Sequence, residues 1–296
     1  MNAHATRKFR DPALVDCGAG RRLDRLGGVL VDWPCAAAAG PQGDPAAWKE
    51  AGVVHAAAVR GGPAAWTFRA DPPVPWGVSM PIGAATITLE VRPAASGQVG
   101  LFLEQLSQWR WMAARLAPGA RVLSLFAHSG AATLAAAVAG AAVVSVDASR
   151  QATALARRNA AASELTDRPI AWIEDDARKT VARLRRRGES FDAVVLDPPS
   201  WGHGTKGEAF AIDRDLPPLL GEVARLLPAA GGGLVLVTCH SPRWPATRLR
   251  DALAAALAGS ARPAPRIATG PLGLTAESGR RLPLGVFARW VADPPP

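Results

Sequence analysis

Asp147, Asp176 and Asp197 are the residues of this 296-residue chain whose type and spacing point most directly to chemistry. Each lies at or just past the end of a short apolar run, in VVSVDAS, WIEDDA and VVLDPPSWG. A carboxylate at a strand end can accept hydrogen bonds from both hydroxyls of a ribose, which is the role read for Asp147, with Ala148 beside it. Asp176, followed by Ala177, can accept from an adenine amino group. Asp197 precedes Pro198, Pro199 and Ser200, and the prolines fix the backbone and remove donors, so that carboxylate and carbonyl oxygens are presented where an amino group can be gripped. A dinucleotide site needs G-x-G-x-x-G because backbone must approach a pyrophosphate closely. The turn Phe126-Ala127-His128-Ser129-Gly130 offers one glycine, which suits a ligand without phosphates. An adenosine with no phosphate and a cationic sulfonium is S-adenosylmethionine, and an acidic crevice tolerates that charge.

The elements that must position these groups are read from periodicity. Apolar runs at Arg121 to Leu125, Ala142 to Val146, Ala171 to Ile173 and Phe191 to Leu196 alternate with Ala-rich helical stretches, the βαβ pattern of a buried parallel sheet. In such sheets ligands bind in the crevice beyond the carboxyl ends of the strands. Helices are expected over Ala131 to Ala139, whose small side chains let its N-terminal amides approach a ligand, and over Arg150 to Ala162 with Ser149 as N-cap. Asp176 opens another, ending in a cationic turn at Arg185 to Arg187. The loop WGHGTKGEAF carries His203 and Lys206 but lacks the order of a phosphate-binding P-loop. Leu216, Leu219, Leu220, Val223, Leu226 and Leu227 mark the sheet-facing side of a helix. A fifth strand, Leu234 to Val237, ends in Thr238-Cys239-His240; a helix from about Thr247 to Leu257 and two terminal strands complete the sheet. Before it, Leu101, Phe102, Gln105, Leu106, Trp109 and Met112 have helical spacing and bring Glu104 and Gln105 near the crevice.

Residues 1–95 differ, with short strands at Val29 to Trp33, Ala64 to Phe68 and Ala85 to Val91 broken by Gly and Pro clusters. The expected architecture is therefore a Rossmann-like, seven-stranded, mostly parallel α/β sheet over residues 96–296, with a small β-rich domain over 1–95. Trp33, Trp48, Trp66 and Trp76 either stack on bases or fill a small core, and Arg21-Arg22 reads as a solvated turn.

Composition bounds the partners. The net charge of +9 and pI near 10.8 suit an anionic partner such as RNA, although arginine outnumbers lysine thirty to four, as codon bias in a GC-rich genome would also produce. Cys17, Cys35 and Cys239 are far apart and odd in number, which suits a reducing compartment and argues against a metal site. The N-terminus has no apolar core region of a secretory signal, and no apolar run is long enough for a membrane span, so a cytoplasmic location is expected.

The segments LFAHSG, VVSVDAS, the ARRNA run with Asn159, EDDA, DPPSWGHGTKGE and GLFLEQ together resemble the class I methyltransferases, and specifically the bacterial ribosomal RNA cytosine carbon-5 methyltransferase-like group. The resemblance covers roughly Gly97 to Cys239. It implies S-adenosylmethionine held by Gln105, Phe126, Ser129, Gly130, Asp147, Ala148, Asp176, Ala177 and Asp197, and an RNA substrate. The first 95 residues show no clear copy of the RNA-binding domain that some members carry there. The group's carbon-5 enzymes use a cysteine after the fifth strand, and Cys239 stands at the matching place. Carbon 5 of cytosine is not nucleophilic until a thiolate adds to carbon 6, so a catalytic Cys239 would need its ordinary pKa of about 8.5 lowered by its surroundings. The other reading of Cys239 is a small buried apolar residue. The function expected on this basis is methylation of carbon 5 of a cytosine in ribosomal RNA, with Cys239 adding to the base and Asp197 on its polar edge; the alternatives are methylation of an amine nitrogen on RNA, protein or a small molecule, and a cofactor-binding scaffold that does not catalyse.

Overall fold

The computed structural model describes residues 12–56, 65–69, 72, 74–94, 97–203, 207, 209–228, 232–260 and 266–292. The stretch before residue 12, the Gly61 cluster, Lys206 and the final Asp-Pro-Pro-Pro lie outside them. The chain divides into two compact units, one comprising Met1–Met80, Thr88–Leu103 and Leu274–Pro283, the other Pro81–Ile87, Glu104–Gly273 and Leu284–Pro296.

The first unit is built on a sheet of β1 (Ala13–Gly18), β2 (Arg21–Leu26) and β3 (Val29–Pro34), then, after the short α1 (Pro45–Lys49), β4 (Val53–Ala56) and β5 (Ala65–Phe68). The strands lie in chain order, antiparallel except for β3 beside β4. Arg21 and Arg22 are not a solvated turn. They open β2, where Arg22 sits 2.7 Å from Asp24 with both side chains buried and Arg21 lies 2.6 Å from Asp32. Asp24, two residues on along the same strand, and Asp32, brought across from β3, offset the cost of burying these guanidiniums. Trp33, Trp48 and Trp76 are buried, and their indole N–H groups donate to Asp24, Asp16 and the Leu26 carbonyl respectively, so these three rings fill core rather than form a stacking surface. The strands β6 (Trp76–Ile82) and β7 (Ala85–Val91) pair as a separate ribbon in which Trp76, Val78, Met80 and Ile82 are buried in alternation.

The second unit begins with a 3-10 turn at Leu103–Gln105 that runs into α2 (Leu106–Ala113), a later start than periodicity suggests. There follow β8 (Arg121–Leu125), α3 (Ala131–Val138), β9 (Ala142–Asp147), α4 (Arg150–Ala162), β10 (Ile170–Glu174), α5 (Ala177–Arg186) and β11 (Ala193–Leu196). The short pair β12 (Trp201–His203) and β13 (Ala209–Ala211) leads to α6 (Ile212–Ala224), β14 (Leu234–Cys239), α7 (Ala246–Ala258), β15 (Ile267–Thr275) and β16 (Arg281–Val291). Seven strands form one sheet in the order β10-β9-β8-β11-β14-β16-β15, parallel from β10 to β14, with β16 antiparallel to β14. The Rossmann-like, mostly parallel sheet is thus as expected. Every residue of β11 and β14 is buried, as strands covered on both faces require. On one face Leu123, Leu125, Val194, Leu196, Val235 and Val237 pack with Leu216, Leu219, Leu220 and Val223 of α6 and Leu249, Leu253 and Leu257 of α7. No described helix is long and apolar enough to cross a membrane.

Candidate active site

The turn after β8 leaves the carboxyl edge of the sheet through strained backbone. Phe126 and His128 both have positive φ, 56° and 45°, in a region that costs a non-glycine residue about 1–3 kcal/mol. Gly130 follows at φ 78°, and a Cβ there would lie 2.7 Å from the Ala156 Cβ, so the turn needs glycine both for its conformation and for close approach to α4. Three side-chain contacts hold the strained loop: the Asn159 amide donates to the Ser129 carbonyl at 2.8 Å, and the two Asp147 oxygens accept from the His128 and Ser149 backbone N–H groups at 2.8 Å each. Asp147 remains partly exposed, with lone pairs left for ribose hydroxyls. Ala148 is likewise partly exposed, Ser129 is buried, and Phe126 packs edge-on against Phe210 at 5.2 Å between centroids. The turn thus combines a single glycine, internally hydrogen-bonded amides and a partly exposed strand-end acid.

Asp176 is more heavily engaged. It caps α5 by accepting from the backbone N–H groups of Arg178 and Lys179 at 2.8 and 3.2 Å, and the Arg178 guanidinium grips its other oxygen at 2.8 Å. Arg178 also reaches Asp215 at 3.1 Å and lies over the Phe210 ring. The carboxylate is therefore a helix cap first, and what it has left for an adenine amino group is its remaining lone pair. Ala177, directly after it, is buried.

Asp197 belongs to a different kind of network. Its Oδ1 accepts from the Thr238 hydroxyl at 2.7 Å and its Oδ2 from the Gln105 amide at 2.9 Å. The Gln105 amide also lies 3.0 Å from Thr238 Oγ1 and 3.2 Å from His240 Nε2. The His240 Nδ1–H donates to the Leu284 carbonyl at 2.8 Å, and Nε2 stands 3.4 Å from Asp197. Burial alone would lower the His240 pKa, but the hydrogen bond and charge of Asp197, aided by Glu104, lift it to about 9. The imidazolium is then the state at neutral pH. Asp197 keeps 36% of its side-chain surface exposed, so Gln105, Thr238 and His240 orient it without enclosing it. His128 also senses this edge: crowding by protein holds its pKa below the ordinary value against the pull of Asp147 and Asp197, although the residue reaches solvent.

Cys239 does not face this crevice. Side chains alternate along β14, so Thr238 meets Gln105 and Asp197 while Cys239 turns to the opposite face, in the core with Trp244 and Leu249. It is fully buried, and that burial pushes its thiol up to about 11. Of the two readings of Cys239, this burial matches that of a small apolar core residue. Two groups at the edge escaped sequence reading as site residues, Thr238 and Trp201. Thr238 could have been found as the in-facing neighbour of Cys239 by strand alternation; Trp201, 60% exposed on β12 just past Ser200, carries no local signal beyond its place after the prolines. A shallow hollow of about 400 Å³ lined by Arg121, Ala142, Pro169, Ile170 and Phe191 lies at the amino ends of the strands, the wrong edge for a ligand in this fold.

Over residues 68–262 the sequence matches the family model described as S-adenosylmethionine-dependent methyltransferase. The chain is similar to the crystal structure of a SAM-dependent methyltransferase from Agrobacterium tumefaciens, with a TM-score of 0.85 and 30% identity over 95% of this chain and 90% of that one. It is also similar to ribosomal RNA large subunit methyltransferase I of Shewanella frigidimarina, 38% identical over 116 residues, which are 39% of this chain and 29% of that protein. With the Shewanella amazonensis protein of the same name it shares 39% identity over 105 residues, 35% of this chain and 26% of that one. The match thus spans less than a third of the length of these two relatives.

Proposed function

The chain belongs to the S-adenosylmethionine-dependent methyltransferase family, and on that premise we propose that it methylates an amino nitrogen of a base in RNA, without covalent attack by cysteine. The observation that carries this reading is the contrast at the end of β14: Asp197 is held half-exposed by Gln105, Thr238 and His240, while the Cys239 thiol is buried and pushed up to about 11. The turn 126–130, Asp147 and Asp176 would hold S-adenosylmethionine, which would supply an electrophilic methyl carbon on a sulfonium. Asp197 accepts a hydrogen bond from the target amino group and holds its nitrogen lone pair toward the cofactor side. The nitrogen would take the methyl group as its bond to the sulfonium breaks, and the proton released from nitrogen would pass to Asp197 and on to solvent. His240, already protonated, keeps Asp197 from swinging away. A base in a folded RNA would have to be unstacked to reach this carboxylate, and the exposed Trp201 offers it a face. The net charge of +9 and the ribosomal RNA named in the relatives support RNA as the substrate class, and such a substrate supports a cytoplasmic location.

Incubating the protein with methyl-labelled cofactor and total RNA, followed by nucleoside analysis, tests the reading. The expected result is label on a base amino nitrogen, retained by Cys239→Ala and abolished by Asp197→Asn. Label on cytosine carbon 5 that disappears with Cys239→Ala would restore the cysteine mechanism. Label only in protein or a small metabolite would remove RNA.

A further inference from the structure

Along α2, residues three to four apart share a face, and that face runs from the site outward. Gln105, just before it, holds Asp197; one turn on, the Gln108 carbonyl oxygen accepts from the Arg289 Nε at 2.8 Å. Next comes Trp111, and over its ring lie two guanidiniums, Arg289 at 4.5 Å and Arg115 at 4.7 Å from the centroid. Arg289 also lies over Phe287, at 4.4 Å. The strand register agrees with this placement. Phe287 and Arg289 oppose Thr238 and Leu236 of β14, so they project to the same face as Thr238, toward α2.

Two like charges on one indole are an expensive arrangement if nothing joins them. Among the described residues no carboxylate pairs with either guanidinium, and the charge acting on Arg289 is that of Arg115. Burial, followed by that repulsion, lowers the Arg289 pKa to about 10. Elsewhere in this unit arginines in comparable settings have acids: Arg178 has Asp176 and Asp215, Arg183 has Asp175, Arg185 has Glu222. Trp111, Phe287 and Arg289 are partly exposed and Arg115 is exposed, so an anion from solution can reach the pair. Guanidiniums pre-oriented on aromatic faces are suited to phosphate oxygens, which accept their forked N–H groups.

We propose that Arg115 and Arg289, held on Trp111, form a second binding site that takes a backbone phosphate of the polyanionic substrate. Resting on the RNA reading above, the site fixes the strand a few nucleotides from the target base: six residues of helical rise separate Gln105 from Trp111, roughly 9 Å. Such a contact positions the strand and carries no sequence information.

Fluorescence anisotropy with two single-stranded oligoribonucleotides of unrelated sequence, across a salt series, tests this, with inorganic tripolyphosphate as a competing probe. Arg115→Gln, at an exposed position, should weaken both oligonucleotides equally, by roughly five- to tenfold, and reduce the log–log salt slope by about 0.7. Adding Arg289→Gln should double the slope change, and Arg289→Lys should restore part of it, which a merely misfolded variant would not do. Calorimetric cofactor binding should be unmoved in Arg115→Gln. Unchanged RNA affinity and slope in both glutamine variants would overturn the phosphate site while leaving the RNA reading intact. A wild-type protein that ignores RNA yet binds tripolyphosphate through these arginines would uphold the site and overturn RNA; one that binds neither would overturn both.

Discussion

Hydrogen-bonded aspartates occur in both compact units, and they are treated in opposite ways. In the N-terminal sheet, Asp16 takes hydrogen bonds from the Trp48 indole, the Gly43 and Asp44 backbones and the Ser278 hydroxyl, all between 2.7 and 2.9 Å. Asp24 takes Arg22 and the Trp33 indole. Nothing of either carboxylate is offered outward. At the carboxyl edge of the larger sheet, Asp147 and Asp197 are also oriented by two or three donors each, but both stay partly exposed. Saturation marks an acid that holds a fold together; orientation with surface left over marks one that can hold a ligand. Asp176, capped and ion-paired, stands between the two cases.

The sharpest way to break this comparison is to exchange the consequences. Asp197→Asn should lower kcat/KM by roughly 10²- to 10³-fold with little change in Tm, the size expected for loss of a group that acts on the reacting centre. Asp16→Asn should do the reverse, lowering unfolding free energy by about 2 kcal/mol or more while leaving activity per folded molecule alone. Burial would raise the Asp16 pKa, but its donors win and bring it down to about 2. A carboxylate depressed in the fold stabilises above its unfolded pKa of about 3.9 and loses that contribution as pH falls toward 2. Acid melting of the wild type should show this loss and Asp16→Asn should not. If instead Asp16→Asn were inactive and stable, saturation would not be a criterion.

A smaller effect separates turn from acid. Gly130→Ala should weaken cofactor binding by calorimetry about tenfold or more, because its Cβ would meet Ala156 and the left-handed φ would be strained. A subtler one concerns His240. Its raised pKa means that its pairing with Asp197 stabilises fully below about 6.5 and fades as pH rises through about 9. NMR titration of the His240 ring should give a midpoint near 9 that drops in Asp197→Asn; a midpoint near 6.5 in the wild type would dissolve the pairing. The smallest effect is that of Cys239→Ala, expected to change turnover less than about twofold and to cost about 1 kcal/mol of packing. A hundredfold loss would return the thiol to the site.

Much of the candidate site is legible in the order of the residues. The buried parallel strands announce themselves as β-branched runs, and Asp147, Gly130 and Asp197 are set by their offsets from strand ends, a local property that the fold converts into convergence. Gln105 is legible only as a helical residue near the crevice; that it bridges Asp197, Thr238 and His240 depends on segments more than ninety residues apart in sequence. Arg21 and Arg22 mislead because exposure is the default for arginine; Asp24 shares a face with Arg22 on β2, and only β3 lying beside β2 supplies Asp32 to Arg21.

By itself, then, the sequence determined the layered α/β architecture, the phosphate-free character of the first turn and the positions of its acids, because each follows from backbone periodicity and local conformational preference. Only the tertiary structure decided which face of β14 meets Gln105 and Asp197. Cys239 and Thr238 are adjacent in sequence and opposite in space, and the packing of α2 on one side and of α6 and α7 on the other buries the thiol and leaves Asp197, held by the threonine, at the edge.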